Sequence, residues 1–179
     1  MPSLKDGIFR LHTRRFGSVA EIIVQKILDT EMSNVLNYDL VKNGNRIECK
    51  FSRCQEENKL KINKNTVLDA IYAESNRDVS FADYSNKVWD CNIQQVKKTE
   101  FDELVYGIFF SDCLVIFRIE PSQIDHTIGY SDKQHRGNVG EGQFHLTNKN
   151  LSYHLENFLY KILTYKDIEE CLTRAQESL

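Results

Sequence analysis

The spacing of apolar and polar positions divides this chain into a mixed set of helices and strands. Val19, Ile22, Ile23 and Ile27 recur at helical spacing behind Ser18-Val19-Ala20-Glu21, a capping-box pattern, and predict a helix over 18–29. Residues 35–41 and 46–52 read as two strands joined by Asn43-Gly44, the strongest short hairpin signal. A helix is expected over 66–75 and a strand over 87–96. Residues 100–103 read as a helical turn or loop. Two apolar, aromatic and β-branched strands are expected over 104–110 and 114–119, separated by Ser111-Asp112. Residues 129–142 hold four of the eight glycines and read as a long loop. Leu151, Leu155, Phe158, Leu159 and Ile162 place a helix over 151–163, and a last short helix covers 167–176. The order predicts an α/β (mixed) fold, a central mixed sheet flanked by helices.

The hairpin carries the first candidate chemistry. A two-residue turn at Asn43-Gly44 makes cross-strand partners sum to 87, so Asp39 lies opposite Glu48, Leu40 opposite Ile47 and Leu36 opposite Phe51. Alternation then puts Leu36, Tyr38, Leu40, Ile47, Cys49 and Phe51 on a core face, with Asp39, Glu48 and Lys50 on the other. Directly opposed side chains have Cβ atoms roughly 4.5–5.5 Å apart, and like charges there destabilise the pair. Lys50 could relieve the repulsion, giving a surface ladder. Alternatively a divalent cation could sit between the carboxylates. Mg²⁺ takes one or two carboxylates with water and phosphate, and the Cys49 carbonyl could add a ligand. Lys50 would then stand beside the attacking water and the scissile phosphate.

Composition narrows the classes without choosing among them. The chain has 179 residues, 41% hydrophobic and 27% charged, with 2 Pro and 8 Gly, which suits one globular domain and not disorder or a linker-rich array. No apolar run approaches the roughly 20 residues of a membrane span, and residues 1–15 lack a signal-peptide core. Five cysteines at irregular spacing, without a CxxC pair, predict reduced thiols in a cytoplasmic protein rather than disulfides or zinc. His126, His135, His145 and His154 show no zinc spacing either, and Trp89 with the aromatic residues of 104–119 reads as core.

The net charge of −3 argues at first against nucleic acid. Its distribution reverses that. Residues 1–64 carry 12 Lys/Arg against 8 Asp/Glu, a balance of +4, and residues 65–179 carry 11 against 18, a balance of −7. Residues 42–64 alone hold seven basic and three acidic groups. A basic face can engage phosphate whatever the total charge.

With Asp39 on one strand and Glu48-Cys49-Lys50 on the next, inside Arg46-Ile47-Glu48-Cys49-Lys50-Phe51-Ser52, the chain resembles the PD-(D/E)XK nuclease superfamily. Tyr38 stands where the motif's Pro would be, and that Pro does no chemistry. The resemblance spans about residues 17–165 and is strongest at 35–52 and 129–146. It implies a restriction-endonuclease-like fold over 1–179, with a catalytic core over about 17–119, a DNA-recognition loop over about 129–146 and C-terminal helices over about 150–179. It also implies that Asp39, Glu48 and Cys49 hold Mg²⁺, with Mn²⁺ able to substitute, and that Lys50 assists the attacking water. Glu21 resembles an accessory carboxylate of the first helix in these nucleases, though it is also the third residue of the capping box. Gln94 or Gln95, with Gln95 favoured, resembles an active-site glutamine.

The loop Ser131 to His145 is similar to DNA-contacting loops of type II restriction enzymes. Its glycines permit close approach to a phosphate or groove. Lys133, His135 and Arg136 could meet phosphate or guanine, and Gln134, Asn138 and Gln143 could read base edges. Arg14, Arg15 and Arg53 are further candidate DNA contacts. The expected activity is Mg²⁺-dependent, sequence-specific cleavage of double-stranded DNA by a homodimer, one site per strand. A structure-specific nuclease such as a junction resolvase or repair enzyme is the nearer alternative, and a non-catalytic DNA-binding relic of the fold the more distant one.

Overall fold

The computed structural model describes residues 3–134 and 137–177. In chain order its elements are α1 Leu4–Arg10, α2 Thr13–Leu28, β1 Glu31–Met32, β2 Leu40–Lys42, β3 Asn45–Arg53, α3 Val67–Glu74, β4 Asp90–Val96, β5 Glu103–Phe109, β6 Cys113–Ile119, β7 Gly142–Thr147, α4 Leu151–Asn157, β8 Leu159–Thr164 and α5 Tyr165–Glu177, with short 3₁₀ turns between. The fold is mixed α/β. A six-stranded sheet runs β1-β2-β3-β5-β6-β8, and β4 pairs with β7 in a second, two-stranded sheet. The β3–β5 pairing is parallel and the other pairings are antiparallel. No helix among the described residues is long and apolar enough to cross a membrane.

Two cores sandwich the central sheet. Leu104, Tyr106, Ile108, Val115 and Phe117 face the β4–β7 sheet and α4, packing on Ile93, Phe144 and Trp89. Val105, Phe109, Leu114 and Ile116 face the helices, packing on Ile8, Phe16, Ile23, Val24 and Ile168. Strands buried on both faces read as continuous apolar runs, as β5 and β6 do. Gly107 lies opposite Phe51 in the parallel pair, and a Cβ there would stand 2.5 Å from the Phe51 ring. That position therefore excludes a side chain.

The hairpin register follows the Asn43-Gly44 signal. Both residues take positive φ, 51° and 83°, as a type I′ turn requires. Leu40 pairs with Ile47 and Lys42 with Asn45, partners that sum to 87. Arg46 holds this hairpin to the start of β5 through a double contact with Asp102 at 2.8 and 3.0 Å. The guanidinium lowers the Asp102 carboxyl to about 2.

Four expectations are corrected. The first long helix begins at Thr13, five residues earlier than the capping-box pattern implied. Burial of Phe16 against Phe109 carries the extra turn, and Ser18 lies inside the helix with its Oγ donating to the Arg14 carbonyl. The strand expected over 35–41 reduces to Leu40–Lys42, because residues 34–39 form bends and a turn. Leu36 is consequently fully exposed, and Tyr38 packs toward the β4–β7 side instead of the helix side. The helix expected over 151–163 ends at Asn157, and residues 159–164 form edge strand β8. The Phe158 N–H closes the helix on the His154 carbonyl, while the Phe158 carbonyl accepts from Arg118 N–H and starts the pairing with β6. Finally, Asp39 does not pair with Glu48: strand pairing stops at Leu40 with Ile47, and the Asp39 N–H donates to the Ile47 carbonyl instead.

Candidate active site

The register brings Asp39, Glu48 and Lys50 to one cavity of about 210 Å³ beside β3, on the face turned toward the β4–β7 sheet. Glu48 and Lys50 project from alternate positions of β3, so they share a face while Cys49 points into the helix-side core. Asp39 lies just before β2. Its N–H donates to the Ile47 carbonyl at 3.0 Å and its carboxylate accepts from the Cys49 N–H at 2.8 Å. The carboxylate is thus folded onto the β3 main chain. Cys49 takes part through that N–H. Burial pushes its thiol up, so sulfur ligation at neutral pH is disfavoured.

Glu48 is 9% exposed and is paired with Lys50. Burial raises the Glu48 carboxyl to about 7, with Asp39 and Glu100 adding to the rise and Lys50 opposing it. For Lys50, burial works against the charged form, but Glu48 and Asp39 outweigh it and the ammonium is stabilised.

Glu21 reaches the same electrostatic field from α2. Burial raises its carboxyl, Asp39 raises it further, and Lys50 pulls it back. With the helix beginning at Thr13, Glu21 sits two turns in and has no capping duty. The structure separates the two glutamines. Gln95 lines the cavity, whereas Gln94 pairs with Gln143 across the second sheet. Gln95 occupies a β-bulge with φ of 57°, a left-handed conformation costly for a residue with a side chain. The bulge turns the side chain out of the ladder and into the cavity.

Three charged residues that the sequence did not single out complete the wall: Lys97, Glu100 and Glu141. Lys97 lies 3.7 Å from Glu100 and 3.9 Å from Glu141. Glu141 sits between Gly140 and Gly142, and that flanking was the available cue. Lys133 and Asn138 are exposed on that loop. The Gln134 N–H donates to the Glu141 carbonyl at 3.0 Å, tying the loop to the cavity rim.

Other candidates are placed elsewhere. Arg53 donates to the Phe9 and Leu11 carbonyls at 2.6 and 2.8 Å and lies 4.7 Å over the Phe16 ring, so it clamps the α1–α2 corner. Gln143 belongs to β7, not to an open loop; its Oε1 accepts from Asn92, and its main chain exchanges two hydrogen bonds with Ser131. Arg14 and Arg15 are exposed on the first turn of α2. His135 and Arg136 lie outside the described residues.

Among the described residues no group of three His, Cys, Asp or Glu side chains is placed to hold a metal ion. The cavity offers the two carboxylates Asp39 and Glu48, a hard-oxygen set of the size Mg²⁺ uses when water and phosphate complete its shell. The fit is by donor type. A cation between them would have to displace Lys50 from Glu48.

A larger cleft of about 630 Å³ lies beyond the hairpin turn. Arg118 there is paired with Glu103 at 2.9 Å and Lys42 donates to the Leu28 carbonyl. A scan against protein-family models finds no match to this chain, and searches of curated proteins and of solved structures find none either.

Proposed function

We propose that this protein is a PD-(D/E)XK-type, Mg²⁺-dependent endonuclease that hydrolyses phosphodiester bonds of double-stranded DNA in the cytoplasm. The observation that carries the reading is the meeting of Asp39, Glu48 and Lys50 at one cavity, with Gln95 turned into it by a strained bulge. Asp39 and Glu48 would hold Mg²⁺, which would supply Lewis-acid stabilisation of charge on a phosphate. Lys50 is a stabilised cation that can hold the attacking water or the developing negative charge. Gln95 can orient a water or a phosphate oxygen through its amide. Glu21 supports the charge balance of Asp39 and Lys50 from the helix side.

A type II restriction enzyme acting as a homodimer is the form favoured by the exposed loop residues Lys133 and Asn138. The internal commitment of Arg53 and Gln143 removes two base or phosphate contacts from that picture and favours a second reading, a nuclease that recognises branched DNA by shape. Digestion of unmethylated plasmid DNA in Mg²⁺ separates them. Discrete bands indicate sequence specificity, and cutting confined to branched substrates indicates shape recognition. Lys50→Ala is expected to lower cleavage by at least about a hundredfold, the scale lost on removing one transition-state donor. Wild type and variant behaving alike, with or without metal, would overturn the enzyme.

A further inference from the structure

Two free cysteines meet where β3 runs out beside β4. Cys54 follows the last residue of β3, Cys91 lies in β4, and both are fully buried in the core that faces the β4–β7 sheet. The backbone sets them face to face. Glu56 and Trp89 form an antiparallel bridge, and the Glu57 N–H donates to the Val88 carbonyl at 3.0 Å, which makes that bridge a non-hydrogen-bonded pair. Carried two residues along each strand, the same register puts Cys54 opposite Cys91 in a second pair of that class. Such pairs have Cα atoms about 4.5 Å apart, inside the window of roughly 4.4–6.8 Å that a disulfide spans. The two thiols are in hydrogen-bond contact, and Cys91 Sγ also donates to the Arg53 carbonyl at 3.6 Å.

We propose that Cys54 and Cys91 are a reversible redox pair, closed to a disulfide by a hydroperoxide and reopened by thiols. One thiolate attacks the peroxide: an S–O bond forms, the O–O bond breaks, and hydroxide leaves with the thiol's proton as water. The second thiol then attacks that sulfur, forming the S–S bond and expelling a second water. The two thiols lose two electrons and two protons, and one hydrogen peroxide becomes two waters. At rest the pair is held reduced, because burial and the Cys91 sulfur keep the Cys54 thiol neutral. Oxidation therefore waits on local opening. Residues 57–65, just after Cys54, hold no helix or strand and are mostly exposed, the mark of a segment that opens at low cost. The bond ties the six-stranded sheet to the two-stranded one. Lys50 lies four residues before Cys54 and Gln95 four residues after Cys91, so closure fixes the spacing of the two strands that wall the cavity.

The redox pair does not rest on the nuclease reading, which DNA digestion tests separately. Wild-type protein is treated with millimolar hydrogen peroxide, alkylated, and digested without reduction for mass spectrometry. One new peptide is expected, joining Cys54 to Cys91 and lighter by two hydrogen atoms than its two parts. Dithiothreitol is expected to return both parts. The Tm of the oxidised protein is expected to rise by about 5–10 °C, as for a cross-link that closes a loop of this length. Cys54→Ala and Cys91→Ala are each expected to abolish the joined peptide and the rise in Tm. The mapping is made on the wild type, so it decides the matter even where a variant fails to fold. Unreacted thiols, sulfinic acid without a cross-link, a disulfide through Cys49, Cys113 or Cys171, or a cross-linked protein no more stable than the reduced one would overturn the inference.

Discussion

His154 shows how strongly single positions are constrained here. It is fully buried, its Nδ1 shares a 2.7 Å hydrogen bond with the Tyr106 hydroxyl, and its Nε2 has no partner. Burial lowers its pKa from 6.5 to about 4. In the unfolded chain the ring takes up a proton below about pH 6.5, and the folded chain refuses it until about pH 4. Stability from this group is therefore complete above the unfolded value and falls as pH drops through that window. The loss is expected to be about 3 kcal/mol. Urea denaturation across the window, compared with His154→Gln, checks it: the difference between the two proteins should narrow on acidification. A constant difference would show that the ring titrates alike in both states.

At the scale of elements, the α1–α2 corner depends on one side chain. Arg53 satisfies the Phe9 and Leu11 carbonyls and covers Phe16. Arg53→Ala is expected to destabilise the fold by about 2–4 kcal/mol, through two lost charged hydrogen bonds and exposed aromatic surface. Hydrogen exchange should show the loss concentrated in α1 and the first turn of α2, and uniform protection loss would contradict it. This corner also shows what the sequence hides. The hairpin was legible because two adjacent residues with positive φ set it locally, and the register from Lys42–Asn45 to Leu40–Ile47 followed by counting. The start of α2 was not, because Ser18-x-x-Glu21 imitates a cap while the deciding contact, Phe16 on Phe109, spans about half of the chain. The β8 edge strand was misread because Leu155, Phe158, Leu159 and Ile162 fit a helical period, and only the open edge of β6 makes Leu159 and Ile162 extend. Gln95 could be nominated but not separated from Gln94, since the bulge that chooses between them exists only when β4 meets β7.

For the whole molecule, the net charge of −3 is an average over unlike regions. The cavity and its helix-side neighbour bring five carboxylates, Glu21, Asp39, Glu48, Glu100 and Glu141, against two ammonium groups, Lys50 and Lys97. Under the nuclease reading, an excess of negative charge at that point would repel a phosphodiester, while the exposed Lys59, Lys61 and Lys64 would attract one. Under the nuclease reading the two effects separate experimentally. DNA affinity measured by fluorescence anisotropy should be at least about tenfold tighter in Mg²⁺ or Ca²⁺ than in EDTA, and should fall steadily as salt rises. Asp39→Asn with Glu48→Gln removes two of the five carboxylates. That variant should bind DNA in EDTA more tightly than the wild type and lose most of its response to the cation, while keeping the salt slope, because Lys59, Lys61 and Lys64 are untouched. Metal-independent affinity in the wild type would mean that the carboxylates do not face the DNA, and would place any DNA contact on a different face from the cavity.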